Sequence, residues 1–222
     1  MTNYHWDFGV VFANFNVLVR GLGGTFELAI LALLAGFALG LPIGALRYAK
    51  SPLANLPASA FIEVFRNTPV LVQIIWFYYA FPVLIGQQLS PFTAASLALG
   101  LNTAANAAEI FRGGIQSIER GQWEAGRALG MSYFKLMRRI IIPQAIKRMI
   151  PAFTNRGIEL TKMTTLASTI AFAELLYQGH LLSSNTFRPL EIYTVIAAMY
   201  FLILAIASYL VGRIEVRMRQ AD

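Results

Sequence analysis

Long apolar runs separated by short polar or charged stretches dominate this chain of 222 residues. The apolar runs cover approximately 23–47, 57–81, 92–112, 139–162 and 190–212. About 20 apolar residues in a helix are enough to cross the ~30 Å hydrocarbon layer of a bilayer. The pattern therefore predicts an all-α integral membrane protein with about five transmembrane helices, short cytoplasmic helices, and a single membrane domain over residues 1–222.

The segments beside these runs are less regular. Residues 1–22 are rich in aromatic side chains and weakly charged, which is typical of a segment at the membrane interface. No lysine or arginine cluster precedes the first apolar run, which favours a membrane anchor over a cleaved signal. Residues 163–188 are apolar but contain Glu174 and His180. A sixth span there would turn the C-terminal arginines outward, so we expect this segment to be re-entrant or peripheral.

Composition narrows the class of protein further. The chain is 57% hydrophobic and 13% charged, which is too apolar for an ordinary soluble domain. It has no cysteine, so disulfides and thiolate chemistry are excluded. Its two histidines, His5 and His180, stand alone in the sequence and indicate no metal site.

The basic residues predict the orientation in the membrane. The formal net charge is +7, and most lysines and arginines lie between the apolar runs, so we interpret them as topology signals and not as a nucleic-acid surface. With five spans and the N-terminus outside, the loop 113–138, the tail 213–222, Arg47 and Lys50 all face the cytoplasm. Arg66, together with Arg156 and Lys162, then falls within the membrane.

A polar island at residues 121–143, GQWEAGRALGMSYFKLMRRIIIP, lies between the third and fourth runs. Gly121 is a possible cap for a helix that starts at Gln122, which would place Glu124 at the third helical position, near the positive end of the helix dipole. Ala125, Ala128 and Leu129 would then share one helix face.

The island also contains signals for a turn. Gly130 is suited to the left-handed conformation that ends a helix, and Ser132 can cap a second helix that leads into the fourth run. The prediction is a short helix, a tight glycine turn and a second short helix. The small residues of the first helix would let the backbone of a partner approach closely.

Charged and polar residues interrupt the second and third runs. Pro69 should kink or interrupt the second run, and Glu63 and Arg66 are spaced to pair within it. The third run is rich in small residues that permit close helix packing, and its Asn102 and Asn106 can bond across helices. Glu109 and Arg112 repeat the spacing of an ion pair at its inner end.

Charged residues also lie within the fourth run. Pro143 and Pro151 are expected to break it, and Arg156, Glu159 and Lys162 climb one side of its helix. Ionisable groups within a membrane are costly and are expected to face protein or water. Cations and anions close together in a dry environment could bind a zwitterionic molecule, which needs a cation for its carboxylate and an anion for its ammonium. The candidate binding residues for such a molecule are Arg156, Glu159, Lys162, Glu63 and Arg66.

The island resembles the EAA loop of ABC importer permeases. It has EAG at 124–126, a glycine, Gly130, after three more residues, and IIIP at 140–143 after a further nine. Gly126 and Ile142 stand where that pattern has alanine and leucine. The resemblance implies that the loop docks into a separate ATPase subunit and transmits its closure. The residues to which it assigns this coupling role are Gly121, Trp123, Glu124, Ala125, Ala128, Leu129, Gly130 and Pro143.

Two further stretches resemble the polar amino-acid subgroup of these permeases, namely EVFRNTPVLVQ at 63–73 and KMTTLASTIAFAEL at 162–175. The resemblance implies a type I ABC importer permease in the bacterial inner membrane. It implies a second permease, either the same or a homologous chain, two ATPase subunits that carry ATP and Mg²⁺, and an extracytoplasmic solute-binding protein. The chain has no G-x-x-x-x-G-K-[ST] loop of its own, so energy would come from another chain.

Two other classes fit the sequence less well. An intramembrane enzyme could use Glu63, Glu109, Glu159 or Glu174 as an acid or base, but no nucleophile motif or metal spacing accompanies them. A secondary transporter driven by an ion gradient would also contain broken helices and buried charges. The island has no role in such a transporter. For an importer, the excess of cations in the membrane favours an acidic or polar amino acid, with a basic one as the alternative.

Overall fold

The computed structural model describes residues 4–49 and 51–219, so Lys50 and residues 220–222, which belong to the predicted topology, lie outside the described residues. The secondary structure is helical, and no strand occurs in the described part of the chain. The helices are α1 Gly9–Ala13, α2 Phe15–Tyr48, α3 Pro52–Asn67, α4 Val70–Ile75, α5 Phe81–Ile85, α6 Pro91–Gln116, α7 Arg120–Ala128, α8 Tyr133–Leu136, α9 Ile142–Met163, α10 Leu175–Thr186 and α11 Pro189–Arg219.

Two helices are long and apolar enough to cross a membrane, namely α2 and the part of α11 up to Arg213. A third such span arises if the helices on both sides of the break at Thr68 and Pro69 count as one broken span. This count covers only the described residues. α6 and α9 coincide with the third and fourth predicted runs and have similar length, but they are less apolar than α2. The all-α architecture with membrane-spanning helices is therefore as predicted.

The second predicted run is not one helix. It contains the end of α3 and the start of a new helix, because Thr68 and Pro69 both have extended backbone, with ψ angles of 130° and 132°. Proline disfavours helical geometry in the residue that precedes it, which explains why α3 ends at Asn67. The interruption expected at Pro69 is confirmed, and the predicted span over 57–81 corresponds to two helices on either side of this break.

The fourth run is not broken by its prolines, contrary to the sequence prediction. Pro151 lies inside α9, and Pro143 is its second residue. A π-helical segment, Met137–Ile141, lies directly before Pro143, and another, Trp76–Ala80, lies before Pro82. Proline has no N–H to donate to the preceding turn, and the wider π turn accommodates that missing bond without ending the helix.

The chain forms two compact units that alternate along the sequence. The first unit contains the residues up to Ala32, Pro69–Leu99 and Ile158–Tyr209. The second unit contains Leu33–Thr68, Gly100–Gly157 and the residues from Leu210 onward. The helices α2, α6, α9 and α11 each contribute residues to both units.

The first unit is built around the start of α10. Its core is apolar, and the buried carboxylate of Glu174 caps α10 by accepting bonds from the N–H groups of Leu176 (2.9 Å) and Tyr177 (2.7 Å). The Tyr200 hydroxyl donates to the same carboxylate over 2.8 Å. Residues 164–170 form a 3₁₀ helix before this cap. No long helix covers 163–188, which agrees with a re-entrant or peripheral segment. The core side chains are Val11, Leu18, Leu175, Leu182, Ile192 and Ile196.

The N-terminal segment is attached to the start of α11 within the first unit. The Tyr4 hydroxyl donates to Glu191 Oε2 over 2.5 Å, and the Asp7 N–H donates to Glu191 Oε1 over 3.0 Å. Arg188 donates to the His5 carbonyl over 3.0 Å. The bond to the Glu191 carboxylate raises the pKa of the Tyr4 phenol above its ordinary value. α2 begins at Phe15, so the predicted interfacial segment 1–22 includes the first residues of this helix.

The second unit contains a close contact between α2 and α6. Gly36, Gly40 and Gly44 recur at four-residue spacing on α2, and a Cβ on any of them would lie 2.5–2.8 Å from atoms of α6. Gly40, for example, lies against Ala107 and the Ala104 carbonyl. Small residues allow two helix backbones to approach within lipid, where direct packing is an important source of stability. The close packing predicted for the third run is therefore confirmed.

Candidate functional site

The island forms the predicted helix, glycine turn and second helix in the second unit. Gly130 has φ +70°, its N–H donates to the Arg127 carbonyl over 2.9 Å, and the Met131 N–H reaches back to the Gly126 carbonyl over 3.1 Å. These two bonds are the signature of a Schellman motif, which ends a helix with a residue in the left-handed conformation. Ser132 then precedes α8 with extended backbone, and its carbonyl accepts from the Leu136 N–H.

The first helix of the island begins earlier than the sequence predicted. Glu119 is the N-cap residue, and the Gln122 N–H donates to its carbonyl over 3.0 Å. Gly121 is therefore the second residue of α7 and not its cap, and Glu124 lies beyond the first turn. The extended backbone of Glu119 (ψ 140°) starts the helix, so no glycine is needed to start it. The expected interaction of Glu124 with the helix dipole at the third position is wrong.

A close contact between α7 and α8 supports the turn. A Cβ on Gly126 would lie 2.3 Å from Leu136 Cδ1, so a larger residue there would require the Leu136 side chain to move. The rings of Trp123 and Tyr133 stack with their centroids 6.4 Å apart. Leu136 is buried in an apolar cluster that holds both helices against α6 and α9, whose buried members are Ile115, Ile118, Leu136, Ile141, Ala145 and Met149.

Polar contacts fix the start of α7 against α9. Gln144 donates to the Gln122 side chain over 3.2 Å, and Arg148 lies 3.9 Å from the Glu119 carboxylate. Arg148 also donates to the Ser117 carbonyl. The island is therefore supported at both ends of α7.

The exposed side chains of the island include small and large apolar residues beside charged ones such as Arg127 and Lys135. Leu129 is 78% exposed and Phe134 is 73% exposed. Of the predicted coupling residues, Trp123 is half-buried and packs against the apolar cluster that contains Leu136. The exposed ones are Gly121, Glu124, Ala125, Ala128, Leu129, Gly130 and Pro143.

A charge cluster lies in the second unit around Glu109. Its carboxylate, whose side chain is 14% exposed, lies 3.1 Å from Arg47, 3.6 Å from Arg66 and 2.9 Å from Arg112. The Glu109–Arg112 pair was predicted and is confirmed. The Glu63–Arg66 pair is wrong, because Glu63 contacts Arg47 (3.5 Å) and Asn67 (2.8 Å) instead, while Arg66 contacts Glu109.

Arg156 is buried and is linked to two other helices of the second unit through Asn102. Arg156 Nη2 donates to Asn102 Oδ1 over 2.6 Å, and Asn102 Nδ2 donates to the Phe65 carbonyl over 2.7 Å. The predicted bonding of Asn102 across helices is confirmed, whereas Asn106 bonds within its own helix, to the Asn102 carbonyl.

The remaining candidates for substrate contact lie on the part of α9 that belongs to the first unit. The side chains of Glu159 and Lys162 are exposed there, whereas Arg156 is 6% exposed within the second unit. The structure thus places Glu63 and Arg66 in the cluster around Glu109, and Arg156 against Asn102. Within residues 4–49 and 51–219, no group of three or more histidine, aspartate or glutamate side chains is arranged to hold a metal ion.

Comparison with known proteins places these features in one family. Residues 32–220 match the family model described as binding-protein-dependent transport system inner membrane component. The glutamine transport system permease protein GlnP of Escherichia coli (strain K12) is 37% identical over 215 residues, which cover 96% of this chain and 98% of that protein. The octopine transport system permease protein OccM of Rhizobium meliloti is 40% identical, covering 90% and 85% of the two chains.

A solved structure has the same fold. The crystal structure of an amino acid ABC transporter with histidines contains a chain that superimposes with a TM-score of 0.92 at 38% identity, covering 96% of this chain and all of that one. Nearly the whole chain is matched in both kinds of comparison. The chain therefore belongs to the family of binding-protein-dependent transport system inner membrane components, as a permease of the amino-acid ABC transporter type.

Proposed function

We propose that this chain is the membrane-spanning permease subunit of an ATP-driven amino-acid importer, and that it couples to a separate ATPase through the island. The observation that carries the coupling role is the exposed Schellman turn at Gly130, which is rigidly supported yet covered by nothing in its own unit. A solvated cytoplasmic turn would have no need to expose Leu129, Tyr133 and Phe134 together.

The small side chains on this surface suit a groove on a partner. Ala125, Ala128 and Gly130 are exposed, so a partner can contact the backbone of the turn directly. Gly126 and Leu136 lock the two helices, so a push on α7 is passed to α9 and α6 through the apolar cluster beneath. This is the mechanical property that a coupling element needs.

The remaining parts of the assembly follow from the family. We propose a second permease, the same or a homologous chain, two ATPase subunits that hold ATP and Mg²⁺, and an extracytoplasmic solute-binding protein. We propose that the protein lies in the bacterial inner membrane, where lipid surrounds the spans. Its N-terminus would be outside and its C-terminus in the cytoplasm. We propose no cofactor on this chain, no catalysis by it and no nucleic-acid partner.

For the solute we propose a polar amino acid or a derivative of one, since the similar permeases are named for glutamine and octopine transport. Arg156 and Glu159 are each proposed to contact it, with Lys162 or Arg66 adjusting the local charge. Uptake by Arg156→Gln and Glu159→Gln variants, measured beside their thermal stability in detergent, tests this. Lost uptake with unchanged stability supports a contact, whereas unchanged uptake in both removes these residues from the site.

Co-purification tests the importer role against the ion-driven alternative. A tagged copy of this chain, expressed with its genomic neighbours, is expected to retain an ATPase with a P-loop, and vesicles that contain the complex should accumulate amino acid only with ATP on the ATPase side. Uptake that needs an ion gradient and proceeds without ATP would instead identify a secondary transporter.

A further inference from the structure

A cavity of about 400 Å³ lies within the first unit, between the 3₁₀ helix, α10 and α11. This volume is within the range of pockets that hold small molecules, roughly 300–1,000 Å³. Side chains with hydroxyl or imidazole groups dominate its wall. The lining residues are Ser168, Thr169, Ala171, Leu176, Tyr177, His180 and Tyr193.

The hydroxyls of the 3₁₀ helix face the cavity as acceptors. Ser168 Oγ donates its hydrogen to the Thr165 carbonyl over 2.7 Å, and Thr169 Oγ1 donates to the Leu166 carbonyl over 2.7 Å. Each hydroxyl carries one donor and two lone pairs, so what remains available on both is acceptor capacity. A ligand that fits these two groups has N–H or O–H donors.

The opposite wall offers groups that can donate. Tyr177 and His180 are three residues apart on α10 and so share a face. His180 Nδ1 is bonded to the Tyr193 hydroxyl over 3.2 Å, which leaves Nε2 available. Among the residues that the structure describes, none bonds to the Tyr177 hydroxyl. A phenol can donate to a carbonyl oxygen of a ligand.

The lack of charged side chains in the lining discriminates between classes of ligand. No aspartate, glutamate, lysine or arginine is among the lining residues. An ammonium or guanidinium group would therefore lose water without gaining a counter-ion, and a carboxylate would gain neither lysine nor arginine. A primary carboxamide, with two N–H donors and one carbonyl acceptor, matches both walls and carries no charge.

We infer that this cavity binds the uncharged carboxamide side chain of the transported amino acid, and that it favours glutamine-type solutes over glutamate-type or arginine-type ones. The inference rests on the proposed importer function and deepens it. It concerns a site within the first unit, separate from the exposed island.

Cysteine protection tests occupancy of the cavity directly, because the chain has no native cysteine. Leu176 lines the cavity without contributing a polar group to the proposed contact, so Leu176→Cys in the complete importer, reconstituted with its ATPase and solute-binding protein, would be labelled on this chain with a small thiol reagent. Saturating L-glutamine is expected to slow that labelling about tenfold, since only the unoccupied fraction reacts. L-Glutamate and L-arginine at the same concentration should leave the rate unchanged.

A matched pair of tyrosine variants tests the donor. Tyr177→Phe in the Leu176→Cys background should raise the L-glutamine concentration that gives half-maximal protection about fivefold, as expected for one lost neutral hydrogen bond. Tyr79→Phe removes the hydroxyl of an exposed tyrosine of the same unit outside the cavity, and should leave protection unchanged.

The outcomes separate this inference from the importer role. Labelling that L-glutamine does not slow, or that all three amino acids slow equally, in a complex that still performs ATP-dependent uptake, overturns the cavity assignment alone. An equal effect of Tyr177→Phe and Tyr79→Phe overturns the role of the donor. Absence of ATP-dependent amino-acid uptake overturns the proposed function, and with it the inference that rests on it.

Discussion

Arg156 donates a hydrogen bond from Nη2 to Asn102 Oδ1 over 2.6 Å, and this asparagine in turn binds the Phe65 carbonyl at the end of α3. One amide side chain thus joins α3, α6 and α9 inside the second unit. The residues are 37 and 54 positions apart in the sequence. The position of the buried guanidinium therefore depends on a side chain of a different helix.

Replacing Asn102 is expected to destabilise the protein. Asn102→Leu keeps a similar volume but removes the acceptor for Arg156 and the donor for Phe65. Leaving buried polar groups without these partners should cost about 2 kcal/mol. Thermal unfolding in detergent measures this as a lower Tm. Asn106→Leu is the control, with a smaller loss, because among the described residues the Asn106 side chain bonds within α6, to Asn102. Equal losses in the two variants would contradict the account of Asn102.

Glu109 is expected to matter more than Glu63 for the charge cluster. Glu109→Gln would leave Arg47, Arg66 and Arg112 facing one another without their common anion, and should lower the free energy of unfolding by about 1–3 kcal/mol. Glu63→Gln, at a carboxylate that is 54% exposed, should cost less than about 1 kcal/mol. Denaturation of the two variants at low salt gives the comparison. A larger effect of Glu63→Gln would refute the arrangement around Glu109.

Two glycines of α7 form a matched pair. A Cβ at Gly126 would overlap Leu136, so Gly126→Ala should destabilise the island by about 1–3 kcal/mol and weaken the stimulation of ATPase activity by solute. At Gly121 nothing lies within 4 Å of the added Cβ, and alanine is favoured in helices by about 1 kcal/mol, so Gly121→Ala should be neutral or stabilising. Adding Leu136→Ala to Gly126→Ala should restore part of the coupling. No rescue would mean that the contact with Leu136 is not the cause.

The sequence predicted the helical runs, the break at Pro69 and the left-handed Gly130, because each depends on residues that are close along the chain. It did not predict the partners of Glu63, since i, i+3 spacing says that two side chains can meet and says nothing about a competing arginine on another helix. Arg47 and Glu109 provide that competition.

Two other features could not be predicted for related reasons. The preference for glycine at Gly126 becomes visible only when Leu136 lies against it. The cap at Glu119 depends on backbone angles at a residue whose side chain makes no capping bond. Pro151 was expected to break the fourth run, yet it lies inside α9, because the neighbouring turns and tertiary packing outweigh one lost helix bond.

Orientation in the membrane is a prediction that labelling can check. A single cysteine at Asn185, which is exposed near the end of α10, should react with an impermeant thiol reagent added outside intact cells. A single cysteine at Lys135 in the island should react only after the cells are opened. The tail offers a second check, because Gln220→Cys, outside the described residues, should also be protected. Labelling of either cytoplasmic site from outside would refute the five-span arrangement.

Coupling through the island is tested most directly at Gly130, where φ is +70° and an added Cβ would meet nothing within 4 Å. A substitution there acts through backbone strain alone, and asparagine tolerates the left-handed conformation far better than a β-branched residue does. The measurement is ATPase activity of the reconstituted importer with and without loaded solute-binding protein, for Gly130→Val and Gly130→Asn inserted at equal levels. We predict that Gly130→Asn keeps most of the stimulation by solute, whereas Gly130→Val keeps basal ATPase activity and loses the stimulation. A Gly130→Val importer with normal stimulation and uptake would contradict the account.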